Sequence, residues 1–305
     1  MRGTRTQNVF TAAKFAALLA LAAAGLLLGG EGSALRAGEL FRARELDQSP
    51  LLGLPFLLAL AAALVGPLFS QSAWNNVTFA AEEVEEPGRT LPQALLVGCL
   101  IVTTLYVVTN VAYLNCLSLE GIQRAPEDRV GTAAASALFG PGAAGVMAAA
   151  IMVSTFGCVN GLVLSGARVS FAMARDGLFF RGLEKLNGAG VPSNALWLQA
   201  VWAGLLVLSG SYSQLLKYVV SADILLYVLL VLAVIVLRRR RPEWARPFRA
   251  PAYPVLQILY AAAGAALLLL LLAGNPRTTW PGYVMLLTGV PVYFLWARES
   301  ASREQ

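Results

Sequence analysis

The chain contains no histidine in 305 residues. That removes the usual general base near neutral pH, the commonest metal ligand and every histidine-containing triad. Charge is scarce as well. Asp, Glu, Lys and Arg make up 13% of the chain, about half the share of an ordinary soluble domain. Only three cysteines occur, Cys99, Cys116 and Cys158, in or beside apolar blocks and without CxxC spacing. They read as small buried hydrophobes. Neither a Gly-x-Ser-x-Gly elbow nor paired carboxylates within an apolar run is found. The expectation is a protein without catalytic residues, metal or cofactor, and not an enzyme. The net charge of +6 does not point to nucleic acid. Its densest cluster, Arg238 to Arg241, directly follows an apolar run, as a membrane anchor would.

What is present is apolar: 57% of residues, gathered in long blocks instead of at core-face spacing. That pattern predicts an all-α integral membrane protein. A hydrocarbon core of about 30 Å needs roughly 20 helical residues. Spans are expected near 11–29, 51–85 (broken), 93–117, 142–172, 195–210, 214–237, 253–273 and 280–297, eight crossings with both ends on one side. With a cytoplasmic N-terminus, the inside segments hold 16 of the 23 Lys and Arg. The other seven are Arg36, Arg42, Arg44, Arg124, Arg129, Lys217 and Arg277. The positive-inside rule thus favours cytoplasmic termini in a multi-pass plasma-membrane protein. Arg2 and Arg5 before an Ala/Leu stretch mimic a signal peptide, but the stretch is long and seven more spans follow.

One span is peculiar. Leu51 to Glu83 would be about 50 Å long as a single helix. It carries Gly66-Pro67, then Ser70-Gln71-Ser72, then Trp74-Asn75-Asn76, and ends on Glu82-Glu83. Proline removes a backbone donor and glycine lowers helix propensity. Unwound backbone at membrane depth persists only where protein buries it or a wet cavity lines it. Transporters use such half-helix ends to receive charged substrates. A tilted or kinked helix with packed polar residues is the other reading.

The stretch LFSQSAWNNVTFAAEEVEEPGRTLPQAL resembles the sixth transmembrane helix and following loop of transporters in the amino acid–polyamine–organocation superfamily. It is most similar to the L-amino-acid, light-chain type branch. That pattern is an aromatic, a small flexible stretch, Trp-Asn, a Glu pair, then Asn-Pro-x-Arg-x-Leu-Pro. Here it reads Phe69, Ser70–Ala73, Trp74-Asn75, Glu82-Glu83 and Glu86-Pro87-Gly88-Arg89-Thr90-Leu91-Pro92, with Glu86 in place of the Asn. Residues 4–21, 154–177, 237–251 and 289–296 resemble the family's fifth helix, eighth helix, the loop after the tenth, and last helix, in that order.

The resemblance implies a partial LeuT-type fold comprising helices five to twelve. Residues 1–30 would be the last helix of the first repeat, 50–240 the second inverted repeat, and 250–298 two C-terminal helices. The Gly-Ser-Gly-Ile type stretch of broken helix one does not occur in the first 50 residues. A fragment that lacks helices one to four is therefore expected, with a missing N-terminal half as a possible partner. The expected activity is amino acid transport by alternating access across the lipid bilayer, by sodium-independent exchange or facilitation. A polyamine or cationic amino acid permease and a non-transporting remnant are the alternatives.

The resemblance also implies site roles. Phe69 gates the cavity or touches the substrate side chain. Ser70, Gln71, Ser72 and Ala73 offer unwound backbone to its carboxylate or amine, and Trp74 and Asn75 begin the second half-helix. Asn160, in a polar stripe with Ser154 and Thr155, faces helix one or the substrate. Its other reading is an interhelical hydrogen bond worth about 1 kcal/mol or less, the role expected of Asn110 and Tyr106. Lys14 alone reads as a snorkelling lysine. By resemblance it takes the place of a coupling cation and ties helices together. Asp223, about ten residues into its span, is either a proton-coupling group or a hydrogen-bond partner of a neighbouring helix. Glu82, Glu83, Arg89, Arg168, Arg175 and Asp176 fall at the cytoplasmic face and form either a gate of rearranging ion pairs or static surface pairs.

Overall fold

The structure, a computed structural model, describes residues 2–30, 33–35, 53–72, 74–188, 190–209, 212–274, 276–291 and 293–294. Among them no strand occurs. The helices are α1 (Arg2–Leu28), α2 (Leu54–Ser70), α3 (Pro87–Cys116), α4 (Leu119–Gln123), α5 (Val130–Phe139), α6 (Ala143–Arg175), α7 (Ser193–Ser209), α8 (Tyr212–Arg240), α9 (Val255–Gly274) and α10 (Pro276–Leu287). Three 3-10 helices add Trp74–Glu83, Pro126–Asp128 and Arg181–Glu184.

Among the described residues six stretches are long and apolar enough to cross a bilayer: Asn8–Leu28, Leu54–Phe79, Pro87–Cys116, Ala143–Arg175, Tyr218–Arg240 and Val255–Gly274. Two of the eight crossings expected from sequence fall on shorter helices among the described residues. The span expected at 195–210 is the 17-residue α7, about 25 Å long, because Ser209-Gly210-Ser211 closes its apolar run. The span expected at 280–297 is represented by the 12-residue α10, and residues 295–297 lie outside the described set. Large side chains along these helices stay exposed, Leu100, Leu208 and Leu269 among them, with Leu208 at 87%. Such faces suit hydrocarbon, not water.

The chain forms two compact units. The first comprises residues 1–48 and 93–164. There α1 meets α3 at small residues. A Cβ on Gly25 would lie 2.9 Å from Ala112 Cβ, and one on Gly29 would lie 2.7 Å from the Asn115 carbonyl oxygen. This small-xxx-small pair lets the two backbones approach, the usual way apolar helices associate without a hydrophobic drive. The end of α1 leaves unpaired carbonyls. Asn115 Nδ2 reaches Leu26 O at 3.4 Å and Gly25 O at 3.0 Å, the latter shared with the Gly29 amide, a hydrogen bond being worth about 1 kcal/mol. Ala22, Ala112, Ala134 and the loop residues Ser33 and Ala34 are buried, and α5 packs on α1.

The second unit comprises residues 49–92 and 165–305. Its core joins α2, α8 and α9 through Ala61, Val220, Ile224, Val228, Ala261, Leu268 and Leu271. Gly264 sits against Val228, and Gly282 of α10 against the Tyr218 carbonyl. A smaller cluster, Ala167, Ala174, Leu183 and Ala195, ties the end of α6 to the 3-10 turn and α7.

Candidate functional site

In the second unit the long segment 51–83 does break. α2 stops at Ser70, Gln71 and Ser72 form a turn, and a ten-residue 3-10 helix runs from Trp74 to Glu83. The local chemistry accounts for the stop. Pro67 lacks an N–H to donate back to the preceding turn. Its own carbonyl takes the Ser70 hydroxyl at 2.8 Å and the Gln71 amide at 3.1 Å, while the Ser72 amide bonds Phe69 O at 3.0 Å. The Ser70 hydroxyl thus shares the carbonyl of the last ladder bond, and the Ser72 amide turns to i−3 bonding. Thr78 Oγ1 donates to Asn75 O at 2.6 Å. The sequence reading expected a second half-helix from Trp74. The element does begin there, but with 3-10 hydrogen bonding over a run far longer than the usual three or four residues.

Phe69 and Trp74 flank the break and both are partly exposed. The Trp74 ring meets Tyr227 of α8 at 5.5 Å between centroids, with planes inclined 43°. Ala73 lies outside the described residues, as do the side chains of Glu82 and Glu83.

In the first unit, Lys14 and Phe10 lie one helical turn apart on α1 and meet three consecutive residues of α6. The Phe10 and Phe156 rings stand 5.4 Å apart. Gly157 is buried under them: a Cβ there would come within 2.8 Å of Phe10 Cβ and 3.3 Å of Lys14 Nζ. Lys14 Nζ donates to Cys158 Sγ at 3.0 Å. A thiol is a weak acceptor and an ammonium carries three donors. Among the described residues no carboxylate pairs with Lys14. Next to this contact, α1 and α6 bound an apolar groove of about 430 Å³ that includes Ala17, Val146, Ala150 and Ser154, with Lys14 in its wall.

The expectation that the cysteines are small buried hydrophobes needs correction. Cys99 and Cys158 are exposed. The outer face of an apolar helix is itself a hydrophobic environment, so a thiol there gains nothing from burial in protein. Asn110 also departs from expectation: its Nδ2 donates to Tyr106 O at 2.8 Å within α3, not to another helix. A short amide satisfies itself on the preceding turn in this way.

The other sequence-derived candidates fall in both units, Asn160 in the first and the rest in the second. Asn160 is half-buried in α6. Asp223 is half-buried in α8, between the core residues Val220 and Ile224 and without an ion-pair partner among the described residues. Arg89, Arg168, Arg175 and Asp176 are all exposed. Arg175 ends α6 with its guanidinium 5.8 Å from the Phe171 ring centre, and Asp176 follows it in a turn.

Sequence reasoning assigned no structure to 118–140. There Ser118 caps α4 by accepting from the Gly121 amide, Glu120 pairs with Arg124 at 2.8 Å, and Gly140, at φ 82°, stops α5. The signals were present as Ser-x-x-Gly, an i,i+4 acid–base pair and Gly-Pro.

Several membrane-length apolar helices, one of them interrupted at short polar residues, define a multi-pass helical membrane protein with a discontinuous span. The amino acid permease family profile matches residues 2–294, and the chain belongs to that family, within the amino acid–polyamine–organocation superfamily. It is 32% identical over 300 residues to the human large neutral amino acids transporter small subunit 2, covering 96% of this chain and 53% of the relative. The mouse Asc-type amino acid transporter 1 is 29% identical over 299 residues, again 96% and 53%. The serine/threonine exchanger SteT of Bacillus subtilis (strain 168) is 33% identical over 246 residues, 79% of this chain and 56% of that one. The chain spans about half the length of the curated relatives it matches.

Proposed function

We propose that this polypeptide is the substrate-bearing C-terminal portion of an amino acid permease that works by alternating access. One observation carries the reading: in a membrane-length segment the α-helix ends at Ser70, Gln71 and Ser72 form a turn, and a 3-10 helix starts at Trp74. At this turn the Gln71 amide bonds the Pro67 carbonyl and the Ser72 amide the Phe69 carbonyl, and backbone groups at the ends of half-helices are what an α-amino acid's carboxylate and ammonium require. Phe69 and Trp74 bracket the opening, Asn160 lines the route, and Glu82, Glu83, Arg89, Arg168, Arg175 and Asp176 make the cytoplasmic gate. The substrate class is neutral amino acids, supported by what the relatives' names say of those proteins.

The assignment of 1–30 to the end of a first repeat, 50–240 to a second inverted repeat and 250–298 to two further helices belongs to this proposal. So do cytoplasmic termini in the plasma membrane and a companion segment supplying the opposing half. Lys14 favours sodium-independent exchange, because a fixed ammonium already stands in the span. Its direction towards α6, not towards the end of α1, supports a tie between helices over snorkelling.

Asp223 favours a second reading, a permease for cationic amino acids or polyamines, since an acidic residue within a span points to a functional site and a carboxylate suits a cationic substrate. Uptake into vesicles bearing the chain, with labelled leucine competed by alanine, serine and putrescine in the presence and absence of sodium, separates the two. Competition by alanine and serine without sodium, and at least a tenfold fall on Pro67→Ala, is the expected result. Competition by putrescine alone, lost in Asp223→Asn, assigns the second reading. Stable insertion with no uptake in any condition assigns a non-transporting remnant.

A further inference from the structure

The arginine-rich segment after α8 has a built structure that no transport role uses. Tyr218–Arg240 is a membrane-length stretch ending in Arg238, Arg239 and Arg240. The chain then folds back instead of trailing away. Arg246 closes the turn by donating to Arg241 O at 2.6 Å and Pro242 O at 2.8 Å. Both carbonyls lie just past the end of α8, and the Arg241 carbonyl also takes the Trp244 amide at 3.3 Å. Arg238 lies 4.0 Å over the Tyr253 ring, which fixes its guanidinium by cation–π attraction. Pro247 rests against Gly88 at the start of α3, 2.5 Å from where a Cβ would stand. Between these fixed points lies a concavity of about 720 Å³, lined by Arg238, Arg239, Arg246 and Arg249 together with Trp244 and Tyr253. No acid lines it. Glu243 is engaged with Arg241 at 3.9 Å. Glu85 and Glu86, which precede Gly88 in sequence, make no ion pair with these arginines among the described residues.

We propose that this concavity binds the phosphate-bearing headgroup of an anionic membrane lipid. Four guanidiniums with no carboxylate among the described lining residues call for an anion. Their forked donors suit phosphate oxygens. The site begins where an apolar span of bilayer length ends, which is headgroup depth, and basic clusters at that position attract anionic lipids. Trp244 and Phe248, both more than half exposed, are the aromatic anchors that sit at that level. Arg246 and Arg238 are held by the protein, so Arg239 and Arg249, both exposed, are left to close on the ligand. The inference rests on α8 as a membrane span and not on the substrate carried.

The test is native mass spectrometry of the full chain in non-ionic detergent with equimolar phosphatidylglycerol and phosphatidylcholine. Phosphatidylglycerol adducts should exceed phosphatidylcholine adducts about tenfold and fade as salt rises. Arg239→Gln/Arg249→Gln should lower them about tenfold, and Arg239→Lys/Arg249→Lys, which keeps the charge and loses the fork, should lower them less. Equal adducts of the two lipids on the unaltered chain overturn the proposal, and that comparison stands even if the Gln variant does not fold. Undiminished phosphatidylglycerol binding in a folded Gln variant also overturns it. Inorganic phosphate that binds and displaces the lipid at millimolar concentration reassigns the pocket to a free phosphate and overturns the lipid source. Because the readout is lipid binding, a failure here leaves the transport reading intact, and a failure of uptake leaves this one intact.

Discussion

Two long apolar segments of this chain carry polar residues in their middles, and only one of them breaks. α6 runs unbroken for 33 residues through Ser154, Thr155, Gly157, Asn160 and Gly161. The segment from Leu54 stops at Ser70, after 17 residues. The difference is not the amount of polarity. In α6 the polar residues are dispersed among apolar ones and no proline interrupts the ladder. In the broken segment Pro67 deletes one backbone donor, and Ser70, Gln71 and Ser72 follow within one turn. The Ser70 hydroxyl and Gln71 amide then converge on the Pro67 carbonyl. The glycines differ as well. Gly157 is a packing residue, since a Cβ there meets Phe10 at 2.8 Å, whereas a Cβ on Gly66 meets nothing within 4 Å. Glycine in the continuous helix serves close approach; in the broken one it weakens the turn before the proline.

The comparison can be broken by giving α6 what α2 has. Val159→Pro removes one hydrogen bond from the ladder of α6 and should cost about 3 kcal/mol or more. A thermal melt in detergent should show a clear drop in midpoint; an unchanged midpoint would mean that α6 tolerates a break and that proline is not the deciding difference. Next in size, Gly157→Ala should destabilise by about 1–3 kcal/mol through overpacking against Phe10. Gly66→Ala should act in the opposite direction, stabilising by about 0.4–1 kcal/mol, since the position has room and lies in a helix. The same melts check both, and equal signs would undo the distinction between the two glycines. Smallest is Ser70→Ala, which removes the bond to Pro67 O and should change stability by about 0.5–1 kcal/mol. Far-UV circular dichroism should then show slightly more helix, as the competing hydroxyl is gone; lost helix would mean that the hydroxyl supports α2 instead of ending it.

Much of this was legible along the chain. The break was readable because its causes are local: a proline, a glycine and three short polar residues within seven positions. The long spans were readable because bilayer thickness sets their length. Family membership was readable from Phe69 to Pro92. What was misread needed neighbours. The thiol of Cys158 was expected to be buried, yet it stands on an exposed face and receives Lys14, and no spacing rule relates residues 144 apart. Asn110 was expected to reach another helix and instead bonds its own. The 3-10 character of Trp74–Glu83 was not foreseen, because the choice between i+3 and i+4 bonding is decided by small differences in how the segment is held. The site roles of Phe69 to Asn75, Lys14 and Asp223 remain proposals for uptake measurements to decide.

The sequence by itself determined that this chain is helical, that it belongs in a bilayer and where its sixth-helix-like segment gives way. Those properties follow from composition, segment length and backbone chemistry within a few residues of each other. Only the tertiary structure decided which polar groups meet. It set Lys14 on Cys158, Asn115 on the last carbonyls of α1, and Arg238 over Tyr253. Each of those contacts depends on how two elements approach, and that approach is set by where small residues such as Gly25, Gly157 and Gly88 allow backbones to come together.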